Sequence, residues 1–174
     1  MTGGQRLSAD QAKAILGRAT PVPVNRGASP IPVVDITGTD LVGMSKSVNL
    51  IGAERSTLLL FLSASCHGCL DLFAASQEPS SLGVSTGTDL RIVLRSSDER
   101  ESSTLVGGAE AIVSDQAWDS YRVTGPPFFS FIVPGCSTVA TEGVAWGAQS
   151  VCDAVNAALG GDYVVENPRL DGDD

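Results

Sequence analysis

Two cysteines separated by two residues are the pair in this sequence best placed to do chemistry. They lie in the segment Cys66-His67-Gly68-Cys69. The segment follows an apolar run, Thr57–Ser63, which predicts a strand buried on both faces, and it begins a predicted helix from Cys66 to about Gln77. Free N–H groups and the dipole at a helix N-terminus stabilise a thiolate. The spacing therefore predicts that Cys66 is a nucleophile towards disulfides and that Cys69 resolves the mixed disulfide.

The same cysteines have two competing interpretations. A zinc site needs four ligands, and beyond the pair the chain offers only Cys136, Cys152 and one histidine, His67. A purely structural disulfide between Cys66 and Cys69 would close so short a loop that it would restrict the unfolded chain little. Redox chemistry is therefore the favoured interpretation, and we expect no metal site.

The elements around this segment alternate between strands and helices, which predicts an α/β fold with a mixed central sheet. A strand at Ile31–Ile36 is placed at a sheet edge because Pro32 lacks an N–H group, and Thr37–Asp40 is a predicted turn. The other predicted strands are Thr57–Ser63, Leu90–Arg95, Ala111–Val113, Pro127–Val133 and Thr138–Ala145. The other predicted helices are Glu101–Val106, Asp115–Tyr121 and about Gln149–Leu159.

The composition excludes several functional classes. The chain has 174 residues, of which 43% are hydrophobic and 18% charged, enough for the core of one domain. Its 20 acidic residues against 11 basic ones give a formal charge of −9, which repels phosphate backbones and argues against nucleic-acid binding. The central apolar run Leu58–Leu62 is too short for a membrane span of about 20 residues, and no signal-peptide pattern is visible at the start.

We divide the chain into three regions. Residues 1–29 predict a short helix at about 9–16 followed by a Pro/Gly-rich linker. Residues 30–160 form the predicted globular domain. Residues 161–174 form an acidic C-terminal tail.

A second motif, Tyr121–Phe129 with Gly125-Pro126-Pro127 at its centre, accompanies the cysteines. Together the two motifs resemble those of the thioredoxin superfamily, and within it the TlpA-like and MauD-like disulfide oxidoreductases. The resemblance covers about residues 30–160. It implies a thioredoxin-like fold with an extra N-terminal strand region, and a βα insertion between the cysteine helix and the strand after the proline.

The same resemblance implies the roles of the residues beside the cysteines. Pro127 would have a cis peptide bond and face the cysteines, since an X-Pro bond is the one low-cost place for a cis peptide. Gly125 and Pro126 would shape the loop that binds substrate peptides. The family's buried aspartate, six residues before the first cysteine, is Leu60 here, and the Trp that usually comes shortly before the first cysteine is replaced by Ser65. We therefore expect a less reducing protein than thioredoxin.

Two tryptophans and two further cysteines are also assigned. Trp146 ends the last predicted strand and is expected to line the substrate groove, whereas Trp118 is expected in the core. Cys152 is predicted to be a small core residue of the last helix. Cys136 falls in a turn, too far from Cys152 for a disulfide.

These patterns predict a protein disulfide oxidoreductase in which Cys66, Cys69, His67 and Pro127 act on protein thiols, with an unidentified redox partner and no dissociable cofactor. A non-catalytic peptide-binding module that uses a Phe128-Phe129 groove is an alternative. A peroxiredoxin-like peroxidase is a weaker one, because Leu59 occupies the place of its motif's proline. The resemblance implies an extracytoplasmic, membrane-tethered domain; a full-length chain of this sequence would instead be cytoplasmic.

Overall fold

A seven-stranded mixed sheet forms the centre of the protein, which a computed structural model describes for residues 29–160. The strands are β1 (Ile36–Thr39), β2 (Ser45–Val48), β3 (Ser56–Phe61), β4 (Thr88–Leu94), β5 (Ala111–Val113), β6 (Phe128–Ile132) and β7 (Thr141–Val144). The α-helices are α1 (His67–Ser76), α2 (Glu99–Val106), α3 (Asp115–Ser120) and α4 (Ala148–Gly160). Short 3-10 helices lie at Pro79–Leu82 and Ser96–Asp98.

The strand order is β2-β1-β5-β4-β3-β6-β7. Strands β3, β4 and β5 are parallel, while β1, β6 and β7 run antiparallel to their neighbours β5, β3 and β6. The carboxyl ends of β3 and β4 therefore lie at the same end of the sheet as the start of β6 and the end of β7. In open sheets this carboxyl edge of the parallel strands is where sites usually form.

Apolar side chains of β3 cover both faces of the sheet, as the continuous apolar run predicts. Leu58 and Leu60, with Leu62 just after the strand, belong to one core, which packs against α1, α2 and α4. Leu59 and Phe61 belong to a second core on the opposite face, which packs against α3 and the chain segment before β1. The predicted α/β architecture, a mixed sheet flanked by helices, is confirmed.

The predicted strand Ile31–Ile36 and turn Thr37–Asp40 are wrong. The strand β1 begins at Ile36 and continues through the predicted turn. Before it, Pro32 forms one isolated bridge with Thr138, because a residue without an N–H group cannot continue a ladder. Gly38 lies within β1, and this position needs a glycine because β1 passes very close to β5. A Cβ at Gly38 would lie 2.0 Å from the Val113 carbonyl oxygen.

Strand β2 was not predicted because its sequence, Ser-Lys-Ser-Val, is mostly polar and only Val48 is buried. A turn that starts at Asp40 directs the chain into it. The Asp40 carboxylate accepts hydrogen bonds from the backbone N–H groups of Val42 and Met44 at 3.0 and 2.9 Å. This turn is an Asx-type turn, a pattern that short polar side chains form with their own backbone.

The predicted N-terminal helix, nearly all of the linker and the acidic tail lie outside residues 29–160. The domain boundaries at 29 and 160 stay predictions. Between α1 and β6 the chain forms β4, α2, β5 and α3 in that order. Among the helices of residues 29–160, none combines the length and the apolar character that crossing a membrane requires.

Candidate active site

The two cysteines of the C-x-x-C segment lie at the start of α1 and differ in exposure. Cys66 is the N-cap residue, in an extended conformation, and is half-buried. Cys69 lies in the first turn and is fully buried. No side chain caps α1 and its first turn contains no acidic residue, so the positive end of the helix dipole is left to the Cys66 sulfur. An accessible first sulfur and a buried second one suit attack by Cys66 and resolution by Cys69.

Burial also controls the protonation of the second cysteine. Burial raises the pKa of the Cys69 thiol to about 12, and its hydrogen bond to Cys66 acts in the same direction because the thiol donates it. The negative charge of Asp98 raises this pKa further, and a backbone hydrogen bond from Ser63 opposes the rise. Cys69 is therefore a protonated thiol at neutral pH.

The proline of the second motif lies directly against the C-x-x-C segment. The peptide bond between Pro126 and Pro127 is cis, as the resemblance implies. A Cβ at Gly68 would lie 3.5 Å from Cγ and 3.7 Å from Cδ of Pro127, so the dipeptide between the cysteines packs against the proline ring. The antiparallel pairing of Phe61 with Phe128 explains this contact, because it brings the end of β3 and the start of β6 to one edge.

Serine side chains hold the loop between β3 and α1. The Ser63 and Ser65 hydroxyls are 2.8 Å apart, and the Cys66 N–H donates to the Ser63 carbonyl at 3.2 Å. From outside the loop, the buried Ser102 of α2 accepts a hydrogen bond from the Ala64 N–H at 3.0 Å. The sequence analysis missed Ser102, and nothing in its local sequence could have indicated this contact.

Trp146 lies on the rim of the same edge. It is 64% exposed and follows Ala145, whose N–H donates to the Pro127 carbonyl at 3.0 Å. Gly125 and Pro126 are half-buried, and no atom lies within 4 Å of the position of a Cβ at Gly125. The predicted substrate-binding residues are thus brought together beside Pro127, with open space in front of the loop.

Trp118 is buried, as predicted. Its ring meets Phe61 edge-to-face at 5.3 Å between centroids, and the Arg95 guanidinium lies 4.5 Å above the ring. The predicted Phe128-Phe129 groove is wrong, because both side chains are buried within the two cores on opposite faces of the sheet. An aromatic pair with its side chains on alternate faces of a central strand cannot form one surface.

The remaining candidates lie apart from one another. His67 is exposed as the first residue of α1. Cys136 is an exposed thiol after β6, and Cys152 is a half-buried thiol of α4 to which the Asn156 amide donates a hydrogen bond.

Among residues 29–160, no group of three or more His, Cys, Asp or Glu side chains could hold a metal ion. A cleft of about 520 Å³ is lined by Arg55, Asp89, Glu110 and neighbours, at the opposite edge of the sheet from Cys66.

Comparison with solved structures identifies this fold as thioredoxin-like. The thioredoxin domain of a thiol-disulfide oxidoreductase from Bacteroides vulgatus aligns with a TM-score of 0.56 at 17% identity, over 75% of this chain and 97% of that one. A proposed thiol:disulfide interchange protein DsbE from Chlorobium tepidum gives a TM-score of 0.59 at 18% identity, over 76% and 99%.

A secreted Mycobacterium tuberculosis disulfide oxidoreductase, homologous to E. coli DsbE, aligns with a TM-score of 0.55 at 18% identity, over 70% of this chain and 94% of that one. No protein-family model matches the sequence, and no curated protein matches it significantly. At these identities the likeness shows the fold, so the predicted thioredoxin-like fold is confirmed.

Proposed function

We propose that this protein is a TlpA-like thiol–disulfide oxidoreductase that exchanges disulfides with protein substrates through Cys66 and Cys69. The observation that carries the proposal is the pairing of an accessible Cys66 at the N-terminus of α1 with a buried, protonated Cys69, both beside Pro127. The similar solved structures named as thiol–disulfide oxidoreductases support the same chemistry.

In the reducing direction, the Cys66 thiolate attacks one sulfur of a substrate disulfide and releases the other as a thiolate, which takes a proton. This leaves a mixed disulfide between Cys66 and the substrate. Cys69 then loses its proton and attacks the Cys66 sulfur, which breaks the mixed disulfide and frees the second substrate thiol. The enzyme ends with a Cys66–Cys69 disulfide and the substrate with two thiols. The oxidising direction is the reverse sequence.

The substrate contacts follow from what lies in front of Cys66. An extended substrate segment passes beside Pro127, with its backbone against the loop at Gly125 and Pro126 and an apolar side chain on Trp146. The support for this placement is the open space at Gly125 and the exposure of Trp146. His67 is exposed next to Cys66, and we include it in the proposed site as the side chain beside the attacking sulfur. A reduction potential less negative than that of thioredoxin stays a prediction.

The Cys69→Ser variant tests this function, and its outcome is our first prediction. Without the resolving thiol, the mixed disulfide with Cys66 has no intramolecular route to release, so substrates should stay attached. Full-length protein carrying Cys136→Ser and Cys152→Ser removes the two thiols outside the site. Oxidised protein substrates are added, and adducts are followed on non-reducing gels with mass spectrometry of the linked peptide.

The matched control is Cys66→Ser with Cys69 intact, which should trap nothing because Cys69 is buried and protonated. Trapping through Cys69 in that control would reverse the roles. No adduct in either variant, and no reduction of insulin by the parent protein, would favour the non-catalytic binding module. That module would have to bind without the Phe128-Phe129 groove, since both side chains are buried.

An extracytoplasmic location belongs to the same proposal. It rests on the family resemblance and on the secreted Mycobacterium tuberculosis protein among the similar structures. Fractionation of the native host, with immunodetection of the intact chain in each fraction, tests it.

A further inference from the structure

The resolving step of the proposed function needs a proton acceptor for Cys69. The thiol is fully buried and its pKa is about 12, so the thiolate that attacks is scarce at neutral pH. Strand β3 and the residue after it offer no base beneath it, since Leu60 and Leu62 are apolar and buried in the core that also contains Cys69. A group from another element must therefore accept the proton if resolution is to be fast.

Asp98 lies at the same end of the sheet as the two cysteines, where it could accept the proton of Cys69. It ends the 3-10 helix Ser96–Asp98 after β4, the strand that runs parallel to β3. Because the ends of neighbouring parallel strands meet at one edge, Asp98 and Cys66 follow adjacent strand ends. Helices α1 and α2, which begin just beyond these ends, pack against each other.

The orientation of α2 brings the Asp98 side of that helix towards the cysteines. Asp98 and Ser102 are four residues apart and so lie on one face of the helix. Ser102 is fully buried and hydrogen-bonded to the Ala64 N–H, two residues before Cys66. The hydrogen bond of Ser102 thus holds this face of α2 against the loop that leads to Cys66, and the negative charge of Asp98 contributes to the raised pKa of Cys69.

The Asp98 carboxylate neither caps α2 with a hydrogen bond nor joins an ion pair among the described residues. Aspartate at an N-cap commonly accepts a hydrogen bond from the first turn of its helix. Asp98 is the N-cap of α2, but its side chain makes no cap hydrogen bond, and within residues 29–160 it forms no ion pair. It is half-buried, so it is partly shielded from water without being neutralised by a partner.

The other ionisable groups near Cys69 are placed less well for proton transfer. On α1, Cys66 is the sulfur under attack, and His67 and Asp71 are exposed. On α2, Glu101 is exposed and Glu99 is half-buried, and the charges that act on Cys69 are those of Cys66 and Asp98.

We propose that Asp98 is the proton acceptor that activates Cys69, taking the place of the buried acid that Leu60 replaces. In the mixed disulfide the Cys69 thiol gives its proton, through a bridging water, to the Asp98 carboxylate as its sulfur forms a bond to the Cys66 sulfur. The bond between Cys66 and the substrate breaks, and the substrate leaves as a thiolate. The proton then passes from Asp98 to that thiolate or to water, so the carboxylate is restored.

The test uses an aromatic disulfide, 5,5′-dithiobis(2-nitrobenzoate), with the reduced full-length protein carrying Cys136→Ser and Cys152→Ser. Attack by Cys66 releases one coloured thiolate, and resolution by Cys69 releases the second, so stopped-flow absorbance separates the two steps. The coloured thiolate needs no proton to leave, which isolates deprotonation of Cys69. Cys69→Ser should abolish the second phase and identify it.

Asp98→Asn is expected to slow the second phase on the order of 10²-fold near pH 7, the usual contribution of a general base. The rate of that variant should rise about tenfold per pH unit as hydroxide supplies the thiolate, while the rate with Asp98 changes little over the same range. Glu99→Gln removes the same charge from the next residue and should leave both phases unchanged. Asp98→Glu keeps a carboxylate and should restore most of the rate.

Each other result overturns the inference. If Asp98 acted on Cys69 only as a charge, its removal would lower the pKa of Cys69 and speed the second phase. If it served only to shape the loop, Asp98→Asn would slow the second phase by the same factor at every pH. Absence of a first phase in the parent protein would instead overturn the proposed function, on which this inference rests.

Discussion

Cys66 and Cys69 are three positions apart in the sequence, but their surroundings set them apart chemically. One sulfur lies at the open end of a helix, and the other lies among the apolar side chains of the core beside α1. A pattern of two cysteines cannot show this difference, because it depends on the chain segments that pack over the second one. The order of the two cysteines still predicts their roles, because the first lies at the helix N-terminus, where free N–H groups favour a thiolate.

This difference in surroundings predicts selective alkylation. With reduced protein near pH 8, iodoacetamide should label Cys66 and the exposed Cys136, while Cys69 stays unlabelled because its pKa is about 12 and it is buried. Peptide mass spectrometry at several times measures each site. In denaturant all four cysteines should react, which is the control for accessibility. Labelling of Cys69 at the rate of Cys136 in the folded protein would contradict the assignment.

At the scale of elements, the sequence predicts what is strongly periodic or continuous and misses what depends on contact. The continuous apolar run predicts strand β3, and helix α1 is predicted to begin at Cys66 and to end before Pro79. Strand β2 is polar and at an edge, so its pairing with β1 is decided by the turn at Asp40 and not by hydrophobicity. Gly38 suggested a turn, but its lack of a side chain serves the close approach of β1 to β5.

This close approach predicts the effect of Gly38→Ala. The added methyl group would lie 2.0 Å from the Val113 carbonyl oxygen, so β1 and β5 must separate, and the hydrogen bond from the Ser114 hydroxyl to the Thr37 carbonyl would be strained. We expect a loss of about 1–3 kcal/mol in the free energy of unfolding, measured by urea denaturation.

Gly87→Ala is the matched control, since the nearest atom to its Cβ, the Ser85 hydroxyl oxygen, would be 3.9 Å away. It should change the free energy of unfolding by less than about 0.5 kcal/mol, the usual range of surface substitutions. Equal losses in the two variants would show that the contact between β1 and β5 is not the cause.

For the molecule as a whole, sequence motifs predict the cysteines, the proline loop and Trp146, whereas Ser102 and Asp98 can be placed near the cysteines only from the three-dimensional packing. Motifs and element order predict Cys66, Pro127 and Trp146, because each lies in a segment that directly follows or precedes a strand recognisable in the sequence. Ser102 lies in a segment predicted only as a short helix, Glu101–Val106, and Asp98, the N-cap of α2, precedes that segment. Their proximity to the cysteines follows from the pairing of β3 with β4, which no local pattern contains.

The whole-molecule stability should fall at alkaline pH. Burial raises the pKa of Tyr121 from 10.0 and of Cys69 from 9.0, in both cases to about 12. Between about pH 9 and pH 12 the unfolded chain therefore releases protons that the folded protein keeps, so ionisation favours unfolding as the pH rises. Below pH 9 these two groups contribute their full stability. Urea denaturation at successive pH values measures the slope.

Tyr121→Phe should make this slope shallower above pH 10, since one of the two groups is gone. The variant also loses the hydrogen bond from the Tyr121 hydroxyl to the Val34 carbonyl, 2.7 Å long, so its stability near pH 7 should be lower as well. An unchanged slope between pH 10 and pH 12 would mean that the tyrosine titrates alike in both states.

The pairing of Phe61 with Phe128 has a consequence for how the molecule tolerates change. Because this pairing fixes the end of β3 against the start of β6, the position of Cys66 relative to Pro127 is set by the register of the sheet. Both strands are buried on their two faces, so a slip of one residue would turn every side chain to the wrong side. Insertions in the surface connections, such as the one between β6 and β7, can therefore lengthen the chain without changing the position of Cys66 relative to Pro127.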